Sequence, residues 1–88
     1  MDVQYRESFI KDLKRIRYEK LLHKVSEIIY EAKAAKNIHE IKNLKKIQEE
    51  KSYFRIRVGD YRLDLRVQGS TATFIRFLHR KDIYRYFP

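Results

Sequence analysis

The chain has 88 residues, no cysteine, and 21 basic against 12 acidic residues, which gives a formal net charge of +9. A chain of this length forms one domain, residues 1–88, near the lower size limit for folding without disulfides. Without cysteine there are no disulfides and no thiolate metal sites, and the three histidines lack ligand spacing, so we expect no metal and no other cofactor. The chain lacks a signal peptide and any apolar run long enough to span a bilayer, so we predict a cytoplasmic protein without membrane contacts.

The positive charge is concentrated in the second half of the chain. Residues 1–50 hold twelve basic and nine acidic side chains, whereas residues 51–88 hold nine basic and only three acidic ones. A one-sided surface of this kind attracts polyanions, and inside a cell the common polyanion is nucleic acid. The alternative is that the charge only keeps a small protein soluble, but solubility does not require arginines at strand spacing.

The first half predicts a short strand and two helices. Residues 2–6 suit an edge strand, and Ser8 is the expected N-cap of a first helix. A second helix is predicted from Glu19 to Ala35, where apolar residues recur at helical spacing. Asn37 is a plausible helix stop because asparagine tolerates the left-handed conformation. The stretch 38–50 is too weakly patterned for more than an irregular or helical connection.

The second half predicts a three-stranded antiparallel sheet and a tail. Residues 53–58 and 61–67 alternate between apolar and charged side chains on either side of Gly59-Asp60, a two-residue turn of the kind that closes a hairpin. A third strand is predicted over 71–78, followed by a short helical or extended tail over 80–87.

The two-residue turn fixes the register of the hairpin by counting outward. Arg57 then faces Arg62, and Arg55 faces Asp64, which could neutralise it. Because side chains alternate, one face is apolar, with Phe54, Ile56, Val58, Tyr61, Leu63 and Leu65, and the other, which we call the arginine face, carries Tyr53, Arg55, Arg57, Arg62, Asp64 and Arg66.

The arginine face suggests phosphate binding. Arg57 opposite Arg62 is destabilising by roughly 0.2–1 kcal/mol, and a bound phosphate would convert that repulsion into attraction, since guanidinium groups bind phosphate through paired hydrogen bonds. An exposed face made polar only to meet water is the alternative. His79 could act as a general acid or base, or could be structural. The residues expected to bind RNA around this centre are Lys51, Tyr53, Arg66, Arg76, Arg80, Lys81 and Arg85.

Two segments, FRIRVGDYRL at 54–63 and HRKDIYR at 79–85, resemble the RelE/ParE superfamily of toxins from type II toxin–antitoxin systems. The resemblance covers essentially the whole chain. It implies an α+β fold in which a short N-terminal strand and a two-helix hairpin pack on a small twisted antiparallel sheet, with a short C-terminal helical tail.

The RelE branch of the superfamily implies a ribosome-dependent mRNA endoribonuclease that needs no metal. The resemblance then assigns catalytic roles at five positions, Arg55, Arg57, Arg62, His79 and Tyr84. It also implies an acidic, partly disordered antitoxin that wraps the toxin in a hetero-oligomer, in addition to mRNA and the ribosome. A DNA gyrase inhibitor of the ParE type and a non-catalytic basic RNA-binding module are the alternatives. Where relatives can carry a further catalytic arginine this chain has Leu78, and Arg76 or Arg80 could substitute.

Overall fold

The computed structural model describes residues 1–47 and 52–86. The fold is α+β, as the sequence predicts. In chain order it comprises β1 (Asp2–Tyr5), α1 (Glu7–Lys14), α2 (Glu19–Ala34), a 3₁₀ turn (Ile38–Glu40), β2 (Lys45–Lys46), β3 (Tyr53–Val58), β4 (Tyr61–Gln68), β5 (Thr71–His79) and α3 (Arg80–Tyr86). None of the described helices is long and apolar enough to cross a lipid bilayer.

The sheet has five strands in the order β1-β5-β4-β3-β2. The pairs β2–β3, β3–β4 and β4–β5 are antiparallel, whereas β1 runs parallel to β5. The three strands predicted from the second half of the chain form the centre of the sheet, and the edge strand predicted over residues 2–6 is confirmed as β1. The expectation of a purely antiparallel sheet was wrong for β1, and β2 was not predicted. The parallel pairing arises because α1 and α2 intervene between β1 and the rest of the sheet, and a crossover of this length is what parallel strands require.

The register of the central hairpin is confirmed pair by pair. Val58 pairs with Tyr61 and Arg57 with Arg62, as counting from a two-residue turn predicts. Gly59 has a φ of 59°, and Asp60 has no positive φ. This combination suits a type II′ turn, in which the first central residue needs the conformational freedom of glycine and the second does not.

The core lies between the apolar face of the sheet and the helices. Phe9 from α1 and Val25 and Ala32 from α2 are buried against Leu63, Phe74 and their neighbours in β3, β4 and β5. Phe9 and Phe74 have ring centroids 5.4 Å apart. This packing leaves the arginine face of β3 and β4 uncovered by the N-terminal helices.

The long edge of β5 is protected in two ways. β1 pairs with its first half, from Thr71 to Phe74. Along its second half, α1 supplies side chains, because Ser8 Oγ donates to the Ile75 carbonyl oxygen at 2.6 Å and Asp12 Oδ2 accepts from the Phe77 amide at 2.9 Å. These bonds satisfy backbone groups that an open strand edge would leave for another chain.

Two predicted caps were wrong. Helix α1 begins at Glu7 with Arg6 in the N-cap position, and the Ser8 hydroxyl bonds to β5 instead of capping the helix. Asn37 is extended, with a φ of −153°, and its side chain accepts from the His39 amide at the start of the 3₁₀ turn. The left-handed asparagine is Asn43, with a φ of 63°, just before β2.

Candidate RNA-binding cavity

The arginine face forms a shallow cavity of about 340 Å³ with β2 and α3. We call it the arginine cavity. Strand alternation places Arg57 and Arg62 side by side across β3 and β4, as predicted. The lining residues are Asn43, Lys45, Ile47, Arg55, Arg57, Arg62 and Tyr84.

Arg55 is paired with Asp64 at the floor of this cavity. Arg55 Nε lies 2.6 Å from Asp64 Oδ1, and Nη2 lies 2.9 Å from Oδ2, so the guanidinium binds the carboxylate through two hydrogen bonds. The Asp64 side chain is 0% exposed and that of Arg55 is 11% exposed. The predicted neutralisation of Arg55 is therefore confirmed.

This pair fixes the charge state of Arg55. The hydrogen bond that Arg55 donates to Asp64 raises the pKa of Arg55 above its ordinary value, against the opposing effect of burial. Burial raises the pKa of the Asp64 carboxyl, and the hydrogen bond from Arg55 opposes that shift. The raised pKa of Arg55 matters for the chemistry, because a guanidinium that is held in its charged form cannot accept a proton from a substrate.

Tyr84 is carried to the cavity by α3. Ile83 is completely buried and anchors the helix, whereas the neighbouring Tyr84 is 71% exposed. The Tyr84 ring lies with its centroid 5.0 Å from Cζ of Arg55, a cation–π contact. Asp64, Arg55 and Tyr84 thus form a chain of contacts from the buried sheet to the open cavity.

Arg57 and Arg62 are the cavity's arginines without an acidic partner among the residues that the structure describes. Nη1 of Arg62 donates to the carbonyl oxygens of Gly59 at 3.0 Å and Tyr61 at 2.9 Å, which holds the side chain along the hairpin. Within residues 1–47 and 52–86, no carboxylate forms an ion pair with either guanidinium. Their charges are therefore available to an anionic ligand.

Sequence reasoning missed the contribution of β2. Lys45 pairs with Arg55 across β2 and β3, which brings its ammonium-bearing side chain to the arginine face. Asn43 and Ile47 complete that wall of the cavity. The run KNLKK was treated as connection because a two-residue strand has no periodicity, although its basic residues beside a basic hairpin were a usable indication.

His79 lies apart from the arginine cavity. It pairs with Tyr61, on the apolar side of the hairpin, and the two rings meet edge to face at 5.4 Å. Its Nδ1 accepts from the Lys81 amide at 3.1 Å, directly before α3. This is the geometry of an N-cap, in which a side chain satisfies an unpaired amide of the first helical turn.

The other residues predicted to bind RNA differ in the side chains that they contact. Arg76 is bound through Nε and Nη2 to Asp12, each at 2.8 Å, and does not line the arginine cavity. Arg80 lies 4.0 Å from Asp60. Lys81 and Arg85 are exposed on α3, and Arg66 stacks on Tyr53 with Cζ 5.6 Å from the ring centroid.

Two predictions about binding groups remain. Lys51, expected to bind RNA, lies outside the described residues. In the described part of the chain, no group of three or more histidine, aspartate or glutamate side chains is arranged to hold a metal ion.

The family model for the ParE toxin of the type II toxin–antitoxin system parDE matches residues 3–84. This chain belongs to the RelE/ParE superfamily of toxins. It is 40% identical over 89 residues to Toxin RelE3 from Methanocaldococcus jannaschii, and the alignment covers all of both chains. The superfamily assignment made from FRIRVGDYRL and HRKDIYR is confirmed.

Solved structures of RelE/ParE toxins share this fold. The RelB–RelE antitoxin–toxin complex from Methanococcus jannaschii contains a chain with a TM-score of 0.81 and 38% identity, covering 97% of this chain and 99% of that one. The intact RelBE toxin–antitoxin complex of E. coli contains a chain with a TM-score of 0.69 over 89% of this chain and 94% of that one. At 15% identity, the second likeness concerns the fold alone.

Proposed function

We propose that this RelE/ParE superfamily toxin is an endoribonuclease that cleaves mRNA on the ribosome. The observation that carries the proposal is the arginine cavity, where Arg57 and Arg62 lie side by side without a described acidic partner. Two adjacent guanidinium groups match the charge of a phosphodiester and that of its more negative transition state. Tyr84 beside them offers a ring on which a base can stack.

The reaction that suits this site is attack by a ribose 2′-OH on the adjacent phosphate. The 2′ oxygen forms a bond to phosphorus, the bond from phosphorus to the 5′ oxygen of the next nucleotide breaks, and a 2′,3′-cyclic phosphate results. One proton leaves the 2′-OH and one is taken up by the departing 5′ oxygen. Arg57 and Arg62 would stabilise the charge that develops on the phosphate oxygens, and the ribosome would hold the strand in line for attack.

The cavity narrows the choice of groups that move protons. Arg55 stays charged through its bond to Asp64, so it serves to position Tyr84 and cannot act as the base. His79 caps α3 on the other side of the sheet. Tyr84 and Lys45 are the groups of the arginine cavity that can exchange a proton, and we assign proton transfer to this pair.

We also propose a cognate antitoxin as the partner of this chain. The net charge of +9 provides the attraction for an acidic segment, and a partly disordered segment can fold as it binds a basic surface. The RelB–RelE complex from Methanococcus jannaschii, an antitoxin–toxin pair, supports this assignment at 38% identity. Burial of Arg57 and Arg62 under such a partner would block access of RNA.

Cleavage of mRNA in a reconstituted translation system tests the proposal. Arg57→Gln and Arg62→Gln should each lower the cleavage rate by about 10²–10³-fold, the effect expected when one preorganised stabiliser of transition-state charge is removed. Arg17→Gln is the matched control. Arg17 is exposed in the connection between α1 and α2, so its replacement removes one positive charge away from the arginine cavity. Its rate should equal that of the unaltered toxin.

Two outcomes would contradict the proposal. Equal cleavage by Arg57→Gln, Arg62→Gln and Arg17→Gln would remove the arginine cavity from the chemistry. Cuts without reference to the reading frame, or cuts that need no ribosome, would contradict the ribosome dependence.

Inhibition of DNA gyrase is the second candidate function, because the matching family model is that of ParE toxins. Loss of supercoiling activity in a gyrase assay, with intact mRNA, would select it.

A further inference from the structure

A second polar cavity of about 500 Å³ lies on the outer side of the sheet, where β1, β4 and β5 meet. We call it the edge cavity. It is separated from the arginine cavity by four residues of β4, from Arg62 to Arg66, which corresponds to roughly 13 Å along a strand. Its polar lining consists of Gln4, Arg6, Arg66, Gln68, Thr71 and Thr73.

We propose that the edge cavity is a second binding site for the backbone of the RNA strand whose scissile phosphate lies in the arginine cavity. The inference rests on the proposed function, which supplies the RNA strand. It assigns a subsite to Arg66 and Arg6, neither of which lines the arginine cavity. One strand would then cross the sheet from Arg57 and Arg62 to Arg66.

Arg66 provides the first argument. Its guanidinium is stacked on Tyr53 and has no carboxylate partner in the described part of the chain. Its Nε is buried and forms no hydrogen bond there. Of the three other sheet arginines that are partly buried, Arg55 and Arg76 are each bound to a buried aspartate, and Arg62 lines the arginine cavity. Arg66 is therefore held in place by an aromatic ring and keeps its charge for a ligand.

The remaining lining supplies the second argument. Thr73 faces Arg66 across β4 and β5, and Thr71 faces Gln68, so hydroxyl and amide groups stand in a row beside the guanidinium. Arginine, threonine and glutamine side chains are the groups that proteins use to contact phosphate and sugar. Asp2, which pairs with Thr71, adds one negative charge at the rim, against the two positive charges of Arg6 and Arg66.

Tyr53 supplies the third argument. It pairs with Arg66 across β3 and β4 and lies on the arginine face, with its ring centroid 5.6 Å from Cζ of Arg66. An aromatic ring beside arginines is the usual platform for single-stranded nucleic acid, because each base can stack while the backbone follows the positive charge. Tyr53 and Arg66 together therefore offer a stacking ring and a positive charge to a strand of RNA that continues from the arginine cavity.

Binding of 2′-O-methyl RNA to the full chain, followed by fluorescence anisotropy over a range of salt, tests this inference, since such RNA lacks the attacking hydroxyl and stays intact. For an oligonucleotide of ~10 nucleotides, within the usual size of a single-strand site, Arg66→Gln should raise the dissociation constant about tenfold. The salt slope, which is the slope of the logarithm of the binding constant against the logarithm of the salt concentration, should become less steep by about 0.7, which corresponds to one lost phosphate contact. An oligonucleotide of ~3 nucleotides that fills only one cavity should respond far less.

Three variants distinguish a loss of phosphate binding by Arg66 from a general loss of structure. Arg66→Lys keeps the charge without the planar fork and should restore the salt slope. Thr73→Val preserves shape and strand propensity and should weaken binding without changing the slope. Arg17→Gln should leave both quantities unchanged.

An Arg66→Gln variant with the affinity and slope of Arg17→Gln would overturn the inference. It would leave the proposed function intact if Arg57→Gln still lowered the rate of mRNA cleavage as expected above. Weaker binding of an acidic antitoxin peptide by Arg66→Gln, with RNA binding unchanged, would also overturn it and assign the cavity to a protein ligand. Failure of the unaltered toxin to cleave mRNA would instead count against the proposed function.

Discussion

Replacing Asp64 by asparagine should remove the main electrostatic support of the arginine cavity. Asp64 is completely buried and accepts two hydrogen bonds from Arg55, at 2.6 and 2.9 Å. Asparagine has the same shape but no charge, and its amide nitrogen would face a guanidinium donor. Arg55 would then be a nearly buried charge without a counter-ion, and the loss of one partner from such a pair typically costs 3–5 kcal/mol. Because asparagine retains one oxygen acceptor, we expect about 3 kcal/mol.

Urea unfolding measures this loss directly. A domain of this size has an m value of about 1 kcal/mol/M, so Asp64→Asn should move the midpoint down by about 3 M. Asp60→Asn is the matched control, since Asp60 is 72% exposed and its carboxylate lies 4.0 Å from Arg80. An exposed pair of this kind contributes less than about 1 kcal/mol. Equal midpoints for Asp64→Asn and Asp60→Asn would refute the reasoning.

A double replacement separates stability from the positioning of Tyr84. When Arg55 and Asp64 are both changed to leucine, most of the lost free energy of unfolding should return, because apolar residues can replace a buried ion pair at little cost. The contact that holds the Tyr84 ring 5.0 Å from the guanidinium would still be absent. Cleavage should therefore remain impaired in a stable protein. Recovery of both properties would show that Arg55 does not position Tyr84.

Two further predictions concern residues outside the cavity. His79→Ala should lower the free energy of unfolding in urea by about 0.5–2 kcal/mol, because the cap of α3 is lost. His79→Asn can still accept a hydrogen bond from the Lys81 amide and should cost less. Because His79 lies on the opposite side of the sheet from the arginine cavity, a folded His79→Ala toxin without cleavage activity would contradict this assignment. Gly59→Ala should lower the free energy of unfolding, measured by heat or urea, by about 1–2 kcal/mol, because Gly59 has a φ of 59°. A Cβ at this position would meet no atom within 4 Å. A larger loss would therefore indicate a steric clash and contradict this geometry.

The sequence was most informative where local rules determine the structure. A two-residue turn and strict alternation settle the register of β3 and β4, so the opposition of Arg57 to Arg62 and of Arg55 to Asp64 could be predicted by counting. Helix α2 was equally accessible, because its apolar residues recur at helical spacing from Leu21 to Ala32. Its predicted end at Ala35 differs from the observed end at Ala34 by one residue.

Contacts between distant residues were not accessible in the same way. Asp12 and Arg76 are 64 positions apart, and neither looks unusual within its own segment. Their pairing depends on α1 lying along the edge of β5, which follows from the parallel attachment of β1. Lys45 was missed for a related reason, since β2 has two residues and gains its place only by pairing with β3.

The magnitudes explain how the fold tolerates two adjacent arginines. Arg57 opposite Arg62 costs roughly 0.2–1 kcal/mol as a cross-strand pair of like charges, and this repulsion is exposed to solvent at Arg57. The arginines that lie deeper in the sheet, Arg55 and Arg76, are each neutralised by a buried aspartate, where an unpaired charge would cost several times more. Acidic partners are therefore placed where folding requires them and are absent, among the described residues, where a phosphate can take their place. The unpaired charge of the arginine cavity is a small cost to the free toxin and a gain once RNA is bound.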